Sequence, residues 1–304
     1  MKKSAFITII GRPNVGKSSL MNCIIGQKVA IVSDKPQTTR TKIMGVYTKD
    51  ENQLVFIDTP GFHKPKNMLG KNMIKAVGDG MSDVDVALFV VEASTKFKIG
   101  ENELPAAELA LIEELKRRKL KAVLVINKID LLESKEELLG IITNYSKYYD
   151  FASIIPLSAR KKDGIDILIG EIMKFCKESP HYFNAEDITD QPERVMVAEM
   201  IREKLLELLK DEVPHGIAVG VEQMSERDDK DILDISAVIY CERDSHKGII
   251  IGKGGSMLKK ASTAARMELE DFFQIKVNLQ CWVKVKEDWR NREGLIRSFG
   301  LSDK

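Results

Sequence analysis

The sequence predicts an α/β fold with a mostly parallel, doubly wound sheet, followed by a smaller α+β domain. Three observations predict it. Apolar, β-branched runs alternate with segments of helical period from the N-terminus to about Cys176, the pattern of parallel strands joined by helices that cover both faces of a sheet. The period lapses in "KESPHYFNAEDITDQPER", Lys177 to Arg194, which holds two prolines, several acids and no apolar repeat and reads as a linker. Beyond it the order becomes helix, strand, strand, helix, helix, strand. A chain of 304 residues can bury two cores. The expected division is a first domain over residues 1–177, a linker over 178–193, a second domain over 194–287 and a C-terminal tail over 288–304.

In chain order, Phe6, Ile7, Ile9 and Ile10 form a continuous β-branched run, and Leu20, Ile24 and Ile25 recur at helical spacing up to Gly26, a helix stop. Further strands are expected at Ile43–Tyr47, Leu54–Ile57, Val86–Val91, Ala122–Ile126 and Ile154–Leu157, with helices near Asn67–Val77, Glu103–Arg118, Lys135–Tyr145 and Ile165–Cys176. In the second part Val197, Ile201, Leu205 and Leu208 keep one helical face apolar. Strands follow at Ile217–Met224 and Ile232–Cys241 about the charged turn Glu226–Asp231, then a helix pair about a glycine loop and a last strand at Val277–Val285.

Composition excludes several classes. The chain is 43% hydrophobic and 31% charged with a net charge of +1, so no global field steers it to a polyanion and any basic surface must be local. No apolar run reaches the roughly 18 residues that span a bilayer, and Met1-Lys2-Lys3 does not open a signal peptide. Cys23, Cys176, Cys241 and Cys281 lie far apart without a C-x-x-C pair, as reduced core residues of a cytoplasmic protein do. The histidines are equally scattered and suggest no metal cluster.

Between the first strand and the first helix lies Gly11-Arg12-Pro13-Asn14-Val15-Gly16-Lys17-Ser18, followed by Ser19, which satisfies G-x-x-x-x-G-K-[ST] at every fixed position. Such a loop aims backbone N–H groups inward at phosphates, and the helix behind it adds its positive end. Lys17 is expected to reach the β and γ phosphates and the Ser18 hydroxyl to hold Mg²⁺. An ordinary glycine turn is the competing reading. Asp58-Thr59-Pro60-Gly61 is a D-x-x-G at a strand end: Asp58 would hold Mg²⁺ through a water, and the Gly61 N–H would sense a γ-phosphate, with Phe62 next in line. A second switch is expected between Gln27 and Lys42, where one of Thr38 and Thr39 completes the Mg²⁺ shell, Thr39 being favoured. Lys17, Thr39 and Gly61 are the expected catalytic positions.

The base is named by Asn127-Lys128-Ile129-Asp130 after the strand Ala122–Ile126. A carboxylate there accepts from guanine N1–H and the exocyclic N2–H₂, a donor pair that adenine lacks. Asn127 can tie this loop to the phosphate loop or contact the base edge, and the Lys128 stem can cover the ring. Ser158-Ala159-Arg160 follows the next strand and could offer backbone N–H groups to guanine O6.

Gly252-Lys253-Gly254-Gly255 is a G-x-x-G between Ile249-Ile250-Ile251 and the helical Met257, Leu258 and Ala261. With two strands before and one after, it resembles the type II KH domain, whose loop clamps a single-stranded RNA backbone while a groove reads unstacked bases. Ile251, Gly252, Lys253, Gly254, Gly255 and Lys259 are the expected RNA contacts, with Lys247 and Lys260 on a positive rim. A helix–helix turn with a solvated charged face is the alternative. Trp289 and the basic residues of "KVKEDWRNREGLIR" could extend the patch.

The spacing G-R-P-N-V-G-K-S, Q-T-T-R, D-T-P-G-F-H, N-K-I-D and S-A resembles the translation-factor-related P-loop GTPases and, within them, the Era family. The resemblance covers nearly the whole chain. It implies GTP hydrolysis with Mg²⁺, binding to the 3′ end of small-subunit ribosomal RNA, assistance in rRNA processing and 30S ribosomal subunit assembly, and peripheral association with the cytoplasmic face of the cell membrane. A monomer is expected. Phe62 stands where other GTPases carry a glutamine, so hydrolysis needs another group, a partner or a monovalent cation. Asn14 matches the asparagine that in similar GTPases helps hold K⁺, or it only stabilises the loop. Two further readings stay open: an RNA chaperone using GTP as a structural ligand, and another KH-bearing assembly GTPase with a different RNA.

Overall fold

The computed structural model describes residues 1–62, 65, 67–93, 104–227 and 230–301. His63 of the D-x-x-G run, Glu103 and two residues of the turn at 226–231 lie outside them. The chain forms two compact units. One gathers Met1–Val32, Thr39–Lys64 and Met73–Asp190, and the other Ser33–Thr38, Pro65–Asn72 and Gln191–Lys304.

The first unit carries β1 (Lys3–Ile10), α1 (Lys17–Ile25), β2 (Ile43–Lys49), β3 (Asn52–Asp58), β4 (Val86–Glu92), α3 (Ala106–Arg118), β5 (Ala122–Asn127), α4 (Lys135–Ser146), β6 (Ser153–Pro156), α5 (Ile165–Met173) and β7 (Lys177–Glu178), and, between β3 and β4, the part of α2 (Met68–Gly80) from Met73 on. The sheet order is β2-β3-β1-β4-β5-β6. Among the described strands of this sheet, β2 against β3 and β7 against β1 run antiparallel and the other pairs run parallel. Side chains alternate across β4: Leu88 and Val90 join one core with Ile7, Ile9 and Val125, whereas Ala87, Phe89 and Val91 join the opposite core with Leu111, Leu115 and Ile126. A strand apolar at every position is thus explained by burial on both faces. The doubly wound arrangement brings the loops after β1, β3, β5 and β6 to the carboxyl edge of the sheet, where such folds hold ligands.

The segment expected as a linker is seated along this sheet through residue 190. β7 pairs with Lys3 and Ser4, and the Gln53 side chain accepts from the Tyr182 and Phe183 amides at 2.8 and 3.1 Å. The Val46 amide donates to the Ile188 carbonyl at 2.8 Å, and the Thr189 hydroxyl donates to the Met44 carbonyl at 2.6 Å. Tyr182 meets the Phe6 ring edge-on and Ile188 packs against the core, but most of the segment's contacts run through backbone and polar groups, which leave no apolar period to read.

In the second unit α6 (Glu193–Leu208), β8 (Ala218–Arg227), β9 (Lys230–Cys241), α7 (Asp244–Ile251), α8 (Ser256–Phe273) and β10 (Lys276–Val285) follow the expected order. The sheet runs β10-β9-β8, with β8 antiparallel and β10 parallel to β9. One core joins Val197, Ile201 and Leu205 of α6 to Leu233, Ile235 and Ala237 of β9 and to Ala261, Ala265 and Leu269 of α8. The C-terminal segment is folded, as a 3-10 turn at Trp289–Asn291 and α9 (Glu293–Ser298). Trp289 is fully buried, donates from Nε1 to the Gly216 carbonyl at 2.9 Å and meets Phe299, which stacks on Tyr240. It is a core residue and does not extend a basic surface; Arg290 beside it is engaged by Glu242. Among the described residues no helix is long and apolar enough to cross a membrane.

Candidate nucleotide-binding site and glycine loop

The loop after β1 turns into α1 through Gly16, held at φ 95 with no side-chain cap on the helix, so the first-turn N–H groups face the loop's interior. A Cβ on Gly16 would sit 2.3 Å from Asn127 Nδ2, and one on Gly11 2.3 Å from the Val90 carbonyl oxygen. Only glycine fits at either place. Lys17 lies folded under the loop, its Nζ donating to the carbonyls of Arg12 at 3.1 Å and Gly11 at 3.4 Å.

Three separated parts of the sequence converge beside it. The Ser18 hydroxyl donates to Asp58 Oδ2 at 2.6 Å and lies 3.0 Å from Thr39 Oγ1, which is 3.4 Å from the same carboxylate oxygen. Asp58 Oδ1 is buried without a hydrogen-bond partner among the described residues, which is costly unless a cation or its water shell completes it. Two hydroxyls and a carboxylate are hard oxygen donors of the kind Mg²⁺ takes, so the residues fit that ion. Thr38 is turned away, its hydroxyl donating to the Lys35 carbonyl at 2.6 Å. Burial pushes the Asp58 carboxyl up, offset in part by Lys17, and burial likewise pulls the Lys17 ammonium down against the pull of Asp58. The Thr59 hydroxyl is anchored on the Ile9 carbonyl at 2.8 Å. Pro60 and Gly61 follow, and a Cβ on Gly61 would come 2.7 Å from Pro13. The Phe62 amide donates to the Gly11 carbonyl at 3.2 Å while its ring packs beside the core that holds Phe89 and Val77.

The base loop is tied to the phosphate loop. Asn127 Nδ2 donates to the Val15 carbonyl at 2.9 Å, while Oδ1 accepts from the amides of Lys128 at 2.8 Å and Ala159 at 3.1 Å. Lys128 Nζ donates to the Asn14 carbonyl at 2.8 Å and pairs with Glu92 at 3.1 Å. Asp130 is accessible and receives the Ser158 hydroxyl at 2.6 Å, which holds its carboxyl below the usual range. The Ser158 amide donates to the Asp163 carbonyl at 3.0 Å. A base oxygen in reach of this loop would therefore share the Ala159 amide with Asn127.

In the second unit the glycine loop joins α7 to α8. Gly252 sits at φ 73, where a Cβ would meet Met257 Cβ at 2.7 Å. Gly254 and Gly255, at φ 59 and 80, open onto unfilled space. Lys253, Lys259 and Lys260 are exposed around them and Ile251 is half-buried. No side chain caps α8, so its first-turn N–H groups face the loop.

A family model described as 50S ribosome-binding GTPase matches residues 6–128, and a KH domain model matches residues 212–290. Over 304 residues, 100% of either chain, the sequence is 53% identical to GTPase Era of Clostridioides difficile (strain 630). The chain belongs to the Era family of GTPases. It is also 51% identical to GTPase Era of Ruminiclostridium cellulolyticum over 298 residues, 98% of this chain and 97% of that one. A crystal structure of Era with MgGDPNP and nucleotides 1506–1542 of 16S ribosomal RNA superposes with a TM-score of 0.93 at 35% identity, covering 100% of both chains. An Aquifex aeolicus Era variant bound to GDP and AlF₄⁻ gives 0.92 at 37% identity, over 99% of this chain and 100% of that one. The fold is accordingly a P-loop GTPase domain followed by a KH domain.

Motif reading missed residues that support this Era-family site from behind. Arg12 Nε meets the fully buried Glu108 of α3 at 2.5 Å, and the other oxygen of Glu108 receives the Tyr145 hydroxyl of α4 at 2.6 Å. The available signal is Glu108 itself, an acid in register with Leu111, Ile112 and Leu115 on the apolar face of α3.

Proposed function

We propose that this chain binds GTP with Mg²⁺, hydrolyses it, and uses its glycine loop to hold single-stranded RNA from the 3′ end of 16S ribosomal RNA in the service of small-subunit assembly. The observation that carries the reading is the convergence of Ser18, Thr39 and Asp58 next to Lys17, with Asp130 presented at the neighbouring loop. The relatives crystallised with MgGDPNP and 16S RNA, and with GDP and AlF₄⁻, support it.

Ser18, Thr39 and, through a water, Asp58 would hold the ion. Held there, the ion would supply charge neutralisation for the β and γ phosphates. Lys17 exchanges the carbonyls of Gly11 and Arg12 for phosphate oxygens, the loop from Gly11 to Ser19 supplies amides, and the Gly61 N–H detects the γ-phosphate. Asp130 pairs with guanine N1–H and N2–H₂, Asn127 keeps the base and phosphate loops in register, and Lys128 bridges them alongside the base. Thr59 and Pro60 fix the path of the switch. Phe62 has no group to orient a water. We assign that deficit to K⁺ held with Asn14, which lies exposed at φ 66; hydrolysis faster in KCl than in NaCl reads that role. In the second unit Gly252, Gly254 and Gly255 let an RNA backbone approach main-chain N–H groups, with Lys253 and Lys259 against its phosphates and Ile251 beside a base. The packing of Phe62 into the core favours a second reading, an RNA chaperone for which GTP is a structural ligand.

The test of the nucleotide assignment is Asp130→Asn. Asparagine replaces one acceptor by a donor and so matches the xanthine carbonyl. Calorimetry is expected to show GTP and GDP both weakened and XTP admitted; an unchanged preference for GTP removes the base assignment.

A further inference from the structure

The phosphate loop is braced from outside by a trio of which Glu108 and Tyr145 are buried and Arg12 is half-exposed. Glu108 is fully buried, a position a carboxylate occupies only with partners. Among the described residues it has two: Arg12 Nε at 2.5 Å on Oε1 and the Tyr145 hydroxyl at 2.6 Å on Oε2. Burial and then the Glu108 charge push the Tyr145 phenol far above its usual range, so it stays a proton donor. Arg12 is the second residue of the phosphate loop. Its own carbonyl and that of Gly11 receive the Lys17 ammonium, and the Gly11 carbonyl also receives the Phe62 amide. The grip of Glu108 on Arg12 thus fixes a short stretch of backbone that seats both the phosphate-binding lysine and the residue following D-x-x-G.

We propose that Glu108, supported by Tyr145, is a positioning residue for nucleotide binding: through Arg12 it sets the backbone from which Lys17 and the switch after Asp58 are hung. The proposal rests on the nucleotide reading above and deepens it. The bonds run helix to side chain to loop, and none involves the ligand, so the effect on affinity is transmitted through loop geometry. A charge-assisted hydrogen bond to a buried group is strong enough to change nucleotide affinity by about tenfold when weakened.

The experiment is a double-mutant cycle on the full chain, reading GDP and GTP dissociation constants and the first melting transition for Glu108→Gln, Arg12→Ala and the double variant. Each single change is expected to weaken both nucleotides by about tenfold. The double variant should be no weaker than Arg12→Ala alone, and Arg12→Lys should recover part of the loss. Should Glu108→Gln fail to fold, Arg12→Ala against Arg12→Lys at the half-exposed end of the pair still decides. A loss in the first with no recovery in the second overturns the grip. Single effects that multiply in the double variant, or a lowered melting temperature at unchanged affinity, reduce Glu108 to a packing role and overturn the proposal alone. A wild-type chain without affinity for guanine nucleotides overturns the underlying reading and this one with it.

Discussion

Replacing Asn127 by alanine removes a side chain that joins three loops through three hydrogen bonds: to the Val15 carbonyl, from the Lys128 amide and from the Ala159 amide. The residue is 2% exposed, so water does not readily replace what is lost. At about 1 kcal/mol net for each bond the change costs about 3 kcal/mol, and at 1.4 kcal/mol for a decade that is about 100-fold in affinity. The loss falls on the register between the phosphate and base loops, so GDP and GTP should weaken alike while Asp130 preserves the preference for GTP over ATP. Asn127→Asp keeps an acceptor for both amides but sets a carboxylate against the Val15 carbonyl, and should be no better than alanine. Calorimetric titration of both nucleotides, with a melting curve to confirm folding, measures this. A loss under about threefold, or a loss of guanine preference at retained affinity, refutes the reasoning and makes Asn127 a base contact instead of a tie.

Two further outcomes are expected. Changing Lys253 and Gly254 together to Asp places carboxylates where RNA phosphates approach the backbone; filter binding across KCl concentrations should show single-stranded RNA binding lost, or its log–log salt slope flattened by about 0.7 per lost phosphate contact, with GTP affinity near wild type. Because the Ser158 hydroxyl holds the Asp130 carboxyl below its ordinary range, the ionised acceptor persists as pH falls and is lost only below the ordinary carboxylate value. Ser158→Ala returns the group toward that value, so in GDP titrations from about pH 7 to about pH 3 its acid-side loss of affinity should begin at higher pH than in the wild type; coincident curves across that range would show that Ser158 does not tune Asp130.

The strands and the nucleotide loops were legible because their signals are local. β4 and β5 are apolar at nearly every position, as burial on two faces requires, and β1, β3 and β5 lead into loops with fixed glycine, lysine and aspartate spacing. The sequence favours Thr39 over Thr38 without separating them; in the fold the Thr39 hydroxyl lies 3.4 Å from Asp58 Oδ2, whereas the Thr38 hydroxyl donates to the Lys35 carbonyl. What escaped depends on distant partners. Residues 177–190 look unstructured because most of their bonds go to backbone and polar groups such as Gln53 and Asp85, and their apolar contacts, Tyr182 on Phe6 and Ile188 on the core, follow no period. Trp289 sits in a basic stretch and reads as surface, yet Gly216, 73 residues away, receives its indole N–H. Glu108 supports Arg12 from a helix 96 residues away, and an acid on an apolar stripe announces only that it needs a partner, not which one.

The most direct test of the account is multiple-turnover phosphate release from GTP by the full chain with Mg²⁺ in KCl, with ATP for comparison, in the presence and absence of RNA carrying the 3′ end of 16S ribosomal RNA. The account predicts release from GTP over many turnovers, none from ATP, and a rate that changes when the RNA binds. Tight GTP binding with no release under any of these conditions would contradict it and leave an RNA-binding module that holds GTP as a structural ligand.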